Sequence, residues 1–266
     1  MGSKVQTVID FFYMHFGFLP GYVLYLLNAL ALRLGGKSGE LKALKDSHKG
    51  ERCFFVGNGP RLTYDDLRKL QGEQTFGCNS LCLAFEKLGF KTTYYFFLDW
   101  RVYRQNKAVI DSYEKGKVFF RSTLSCFSGK DGRALWRKAM PFSSLPHFDY
   151  QHERTRKFSE KPWRTVYDGY TVVYAMMQIA AYMGYSEFYI LGVDCDYTHG
   201  KNNNHFVGSE TEHVTASEIN YATVKMGQAF EVAKKYADGH GIKVYNCSRG
   251  GKLDVFERKS LEEVLG

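Results

Sequence analysis

From Glu51 onward the chain alternates short, unbroken apolar runs with longer stretches whose apolar residues recur at helical spacing. The runs Cys53–Val56 (CFFV), Thr75–Cys78, Thr93–Leu98 (TYYFFL), Lys117–Phe120, Glu187–Val193 (EFYILGV) and Lys243–Asn246 are too short for buried helices and lack polar alternation. They read as strands covered on both faces. Between them, Thr63 is placed to cap a helix over Tyr64–Leu70, with Asp65 and Asp66 in its first turn. Ser80–Leu88 is a second helix. Tyr170–Tyr185 is a third, whose face of Val173, Met176, Met177, Ala180, Ala181 and Met183 ends at Gly184. Thr215 caps a long helix over Ala216–Ala237. This pattern predicts an α/β fold with a doubly wound, mostly parallel sheet. Only Arg121 to Thr165 loses all periodicity. It is basic and too rich in Trp and Phe for a linker, so residues 121–165 read as an irregular acceptor-side insertion or lid, with a plain surface excursion as the alternative.

The first 48 residues form a separate appendage to a catalytic domain over residues 49–266. Val5 to Leu34 is rich in large apolar and aromatic residues but is broken by Asp10, His15, Pro20 and Asn28, and Pro20 is expected to divide it into two short helices. It lacks a signal-peptide layout, and neither half has the roughly 20 unbroken apolar residues of a membrane span. The expectation is an interfacial hairpin on a membrane, with Arg33, Lys37, Lys42, Lys45, Lys49 and Arg52 toward anionic headgroups. The alternative is a helical cap on the domain or on a second subunit of a homo-oligomer.

The 266 residues are 44% hydrophobic and 16% aromatic, enough for one large α/β core with appendages. A net charge of +8 suits an anionic ligand, an anionic surface or nucleic acid. The basic residues are dispersed and no recognition helix or stacking motif appears, which argues against nucleic acid. The six cysteines include no CxxC pair and lie mostly in apolar runs, as buried thiols of a reducing compartment do, so a zinc site is not expected.

Candidate chemistry gathers where the strands end. Cys53–Val56 stops at Gly57-Asn58-Gly59-Pro60 just before a helix start, an arrangement expected to leave backbone N–H groups free for a phosphate. The bland alternative is a plain strand-to-helix turn. Asn79 follows the second strand. Asp99 follows the third, either at the ligand crevice or as a helix cap. Glu187–Val193 delivers Asp194-Cys195-Asp196-Tyr197 to the edge shared with Gly57, and two acids one residue apart could hold a divalent metal with a diphosphate. Residues 195–213 read as a lid loop carrying His205 and His213, side chains suited to general-base work near neutrality. Arg249, Gly250 and Lys252 make a second phosphate-friendly turn after the last strand.

Gly57-Asn58-Gly59-Pro60, Gly77-Cys78-Asn79, Met183-Gly184-Tyr185, Tyr189–Asp194, His205-Phe206-Val207-Gly208 and Val244-Tyr245-Asn246 run in an order seen in two related groups. Over roughly residues 50–260 the chain resembles the bacterial CMP-sialic-acid-dependent sialyltransferases of capsule and lipooligosaccharide synthesis. It also resembles the motility-accessory-type flagellin glycosyltransferases and 6-hydroxymethylpterin pyrophosphokinase-like proteins, and the Asn246…Gly250-Gly251-Lys252-Leu253 tail aligns it with this second group. The resemblance implies a modified Rossmann-like fold that binds a CMP-sugar donor without a metal cofactor and transfers the sugar to a glycan or glycolipid acceptor in surface polysaccharide synthesis. The cysteines and the N-terminal stretch together lead to an expected place in the cytoplasm, peripheral on the inner face of the cell membrane. The resemblance carries Gly57, Asn58, Gly59 and Asn79 to the nucleotide, and with Pro60, Asp99, Asp194, Tyr197, Arg249, Gly250 and Lys252 from the strand ends and turns they make the expected nucleotide-binding set. The sialyltransferases' histidine base falls at Ser209 here, which leaves His205 as the expected base and His213 and Asp196 as rivals. The alternative function is diphosphoryl transfer from ATP to a pterin alcohol, with Asp194 and Asp196 on Mg²⁺.

Overall fold

The protein is described here by a computed structural model, which covers residues 18–122, 130–144, 157–195, 205–207 and 216–266. Eight strands form the sheet: β1 (Arg52–Val56), β2 (Thr75–Cys78), β3 (Tyr94–Phe97), β4 (Val118–Arg121), β5 (Met140–Phe142), β6 (Glu187–Leu191), β7 (Lys243–Asn246) and β8 (Glu257–Arg258). Their order is β5-β4-β3-β2-β1-β6-β7-β8, and every pairing is parallel. The expected doubly wound α/β sheet is therefore present.

Continuous apolar runs arise because alternate residues of each strand feed opposite cores. Cys53 and Phe55 of β1, with Tyr94 and Phe96 of β3, join one cluster beneath α8 (Val172–Met183) and α9 (Ala216–His240). Phe54 and Val56, with Tyr95 and Phe97, join the other beneath α3 (Tyr64–Lys69), α4 (Phe85–Leu88), α5 (Trp100–Gln105) and α6 (Lys107–Asp111). Thr63 and Asp66 form a reciprocal capping box at the start of α3, and Gly184 ends α8 in the left-handed conformation at φ 90°.

Several expectations are corrected. Ser80–Leu88 is not one helix: Asn79–Ala84 is a 3₁₀ turn, and α4 begins only at Phe85. Within 121–165 lie a helix, α7 (Lys130–Lys138), and strand β5, so part of the supposed irregular insertion extends the sheet. Pro141 fits there because β5 is an edge strand. The chain also ends in β8 and a short helix, α10 (Leu261–Leu265), which the sequence pattern did not mark.

At the N-terminus, Pro20 sits in the first turn of α1 (Phe18–Leu34), and the helix expected before it lies outside the described residues. A first turn tolerates proline because its N–H groups have no intrahelical partner. Together with α2 (Lys37–Lys42), α1 packs beside β5 and covers that edge of the sheet. Buried Asn28 fixes the contact: its amide donates to the Ser122 carbonyl and accepts from the Ser122 hydroxyl, both at 2.7 Å. Among the described residues, no helix is long and apolar enough to cross a membrane.

Candidate functional site

The chain leaves β1 on one side through β2 to β5, then returns to place β6 on the other. A switch of this kind opens a crevice at the carboxyl ends of the two central strands, here Val56 and Leu191. Three glycine turns meet there. A Cβ on Gly57 would lie 2.3 Å from the Gly192 carbonyl oxygen, and one on Gly59 would lie 2.7 Å from both that oxygen and the Asp194 carboxylate. Gly251, at φ 77°, brings the 249–252 turn so close that a Cβ would be 2.5 Å from the Asp194 carbonyl oxygen. Only glycine permits such backbone-on-backbone approach.

The expectation of free backbone N–H groups is corrected by this packing. Gly57 N–H donates to the Leu191 carbonyl and Gly59 N–H to the Gly192 carbonyl, each at 2.8 Å. The start of α3 is occupied too, since Thr63 N–H donates to Asp66 and Asp66 N–H to the Thr63 hydroxyl. Cationic side chains supply the positive charge at this edge. Arg61, which the sequence reading passed over, lies 3.7 Å from the buried Asp194 carboxylate and lines Gly250. Its signal was its place directly after the Gly-Asn-Gly-Pro turn. Lys252 N–H donates to the Asp194 carbonyl at 2.7 Å, and Arg249 pairs with the capping-box Asp66 at 2.6 Å. Asn246, fully buried, ties the turn down by donating to the Leu253 carbonyl and accepting from Ser248 N–H.

Asn58 uses both ends of its amide on one neighbour: it donates to the Val207 carbonyl (3.2 Å) and accepts from Val207 N–H (3.3 Å), while its own carbonyl accepts from Phe206 N–H (2.8 Å). Phe206 packs on Tyr64, the first residue of α3, with ring centres 4.8 Å apart. The segment 205–207 is thus clamped across the first glycine turn. Burial there pulls the His205 imidazole below its ordinary pKa, against a smaller opposing effect of a hydrogen bond with the Asn58 backbone.

Asn79 stands at the end of β2, adjacent to β1, with φ 49°, and its carbonyl accepts from the Tyr95 hydroxyl. Cys195 also has positive φ, 48°, and burial pushes its thiol up to about 12, which disfavours the thiolate. The structure does not bring Asp99 to these turns. It ends β3, two strands from β1, and caps α5 by accepting from Arg101 N–H at 2.8 Å. Asp196, Tyr197 and His213 lie outside the described residues.

A wholly parallel α/β sheet with glycine turns meeting at its switch point defines a Rossmann-like protein of nucleotide-binding type. Residues 33–200 match the model of the family described as 6-hydroxymethylpterin diphosphokinase MptE-like, and the chain belongs to that family. Membership points to transferase chemistry. No curated protein matches the chain.

Proposed function

We propose that this chain transfers a sugar from a CMP-activated donor to a hydroxyl of a glycan or lipid-linked acceptor, in surface polysaccharide assembly. The observation that carries the reading is His205: a half-buried imidazole, biased toward its neutral form, held by the Asn58 clamp over the glycine turn at the switch point. A neutral imidazole in that place is a ready proton acceptor. In the reaction the acceptor oxygen forms a bond to the anomeric carbon and its proton passes to His205. The bond from that carbon to the phosphate oxygen breaks, and the electron pair leaves on CMP. Arg61, Arg249 and Lys252 lie on the turns that would receive the phosphate's negative charge.

Diphosphoryl transfer to a pterin alcohol is the second reading, favoured by the family's description. It calls for Mg²⁺ at the phosphates. The described donor set fits that ion poorly, because the carboxylates described at the turns, Asp194 and Asp66, each face a guanidinium, at 3.7 Å and 2.6 Å. Thermal-shift screening with CMP, CDP, UMP and ATP, with and without Mg²⁺, separates the readings. CMP or CDP is expected to stabilise without metal, by about 2.7 kcal/mol at 100 times its Kd. A response to Mg-ATP alone would favour the diphosphokinase. For the base, His205→Ala is expected to lose at least about 100-fold in kcat with nucleotide affinity kept. A near-normal rate would remove His205 from the role.

A further inference from the structure

Helix α1 presents an outward face opposite in character to that of an ordinary surface helix. Its inner stripe, Tyr25, Asn28 and Leu32, holds it to the domain: the Tyr25 hydroxyl meets the Thr165 hydroxyl, Asn28 pairs with Ser122, and Leu32 is buried. The remaining faces carry Val23, Leu24, Leu26, Leu27, Leu30 and Leu34, exposed by 46% to 79%. A contiguous apolar patch of this kind on a folded domain marks a surface that something covers.

The surroundings of the patch say what covers it. Arg33, Lys42, Lys45 and Lys49 are exposed at the carboxyl end of α1 and in the segment after it, interspersed with the exposed acids Glu40, Asp46 and Glu51, so the stronger excess of cations lies elsewhere. Beside the helix opens a cleft of about 640 Å³ whose lining includes Thr165 and the exposed cations Lys157, Lys161, Arg164 and Lys235, against the single acid Glu160. Apolar side chains bordered by cations complement the acyl boundary and phosphates of an anionic bilayer. A second copy of the chain would bring the same cations against these, on a molecule already at +8.

We propose that α1 and the bordering basic cleft form a docking surface for an anionic membrane, on which the helix lies without crossing. At 17 residues α1 is about 25 Å long, and spanning would break its contacts with Ser122 and Thr165. This inference stands apart from the transferase reading, since the surface would hold the protein to the bilayer whatever the reaction.

The test is cosedimentation of the full chain with phosphatidylcholine vesicles, with and without phosphatidylglycerol. Partition is expected to be at least about 10-fold stronger on the anionic vesicles and to weaken with added salt. Leu26→Glu/Leu27→Glu/Leu30→Glu should lower it by at least about 10-fold, because each side chain moves from lipid back to water as a charge. Lys161→Glu/Arg164→Glu should lower binding to the anionic vesicles by a similar factor and leave the neutral ones unchanged. All five positions are exposed, so the thermal midpoint should hold, and the charge variant remains decisive if the leucine variant fails to fold. Equal partition by the full chain and both variants overturns the proposal. So does a dimer in analytical ultracentrifugation that Leu26→Glu/Leu27→Glu splits, which would make the face a self-interface.

Discussion

Replacing Gly57 by Ala tests the central packing of the site with one carbon. The new Cβ would lie 2.3 Å from the Gly192 carbonyl oxygen and 2.9 Å from a Val193 methyl. The first obstacle is backbone and cannot rotate away, so the ends of β1 and β6 must part by about 1 Å to restore ordinary contact. Two hydrogen bonds cross that junction, Gly57 to Leu191 and Gly59 to Gly192, both at 2.8 Å. Overpacking alone costs about 1–3 kcal/mol. Stretching one buried hydrogen bond adds about 1 kcal/mol, for a total of about 2–4 kcal/mol. At about 2–4 °C per kcal/mol for a chain near this size, Tm should fall by roughly 5–15 °C. Gly72→Ala is the control for backbone strain without crowding, because its Cβ would meet nothing within 4 Å and its penalty is a φ of 92° that Gly57 does not have. It should cost only about 1 kcal/mol. Both are read by thermal and guanidinium unfolding, with nucleotide binding measured on the folded fraction. If Gly57→Ala stays within about 0.5 kcal/mol of the parent, or proves milder than Gly72→Ala, the close approach of the two turns is wrong.

Four further outcomes follow from other contacts in the structure. A base with its pKa below that of a free imidazole is active when deprotonated, so kcat should level off toward neutral pH and fall as pH drops through the lowered His205 pKa; an activity limb above pH 7 would contradict this. The same depression makes the unfolded chain the better proton binder, so His205 contributes stability that is present above pH 6.5 and lost below it, and His205→Gln should flatten that part of a stability–pH curve. Asn28→Ala removes two buried 2.7 Å hydrogen bonds and strands the Ser122 carbonyl, which should cost about 2–3 kcal/mol and speed proteolysis within α1; unchanged cleavage would mean the helix is not held there. Burial raises the thiols of Cys53 and Cys78, the latter to about 12, so their contribution is full below the free-thiol pKa and lost as pH rises. The unfolded chain ionises first, which should remove roughly 2 kcal/mol per thiol by pH 10, and reactivity of either thiol toward a disulfide reagent in the native protein would refute the burial.

The central strands were legible because burial on both faces leaves polar residues only at their ends. β2 and β7 run as the apolar pattern predicts, at Thr75–Cys78 and Lys243–Asn246. α7 and β5 were not, and the reason is physical. Five of the nine residues in KDGRALWRK are charged, and Leu135 is its one buried large side chain, so no apolar stripe shows. β5 is three residues long with a proline inside, held by β4 on one side and by α1 and α2 on the other. Its identity comes from neighbours distant in sequence. The same limit explains the site. Asp99 and Asp194 both follow buried strands, and nothing local distinguishes them. Strand order does, since β6 pairs with β1 while β3 lies two strands away. The N–H groups of Gly57 and Gly59 looked free because their acceptors, Leu191 at the end of β6 and Gly192 just after it, lie far along the chain.

Which parts of the site are shared with the family and which are not also bears on the reaction. The match over 33–200 takes in Gly57, Asn58, Arg61 and Asp194, which build the glycine-turn floor beside the switch point. It stops short of His205, Arg249 and Lys252, so membership covers that floor and says nothing of these three side chains. Asn58 joins the two parts, since its amide belongs to the matched floor yet is spent on Val207. If the floor binds a nucleotide and the 205–207 segment supplies the base, Asn58→Ala should release the segment, cost far more in kcat than in nucleotide affinity, and leave Tm nearly unchanged because the clamp is only part-buried. Equal losses in kcat and nucleotide affinity would instead mean that Asn58 serves the nucleotide directly and that His205 is a bystander.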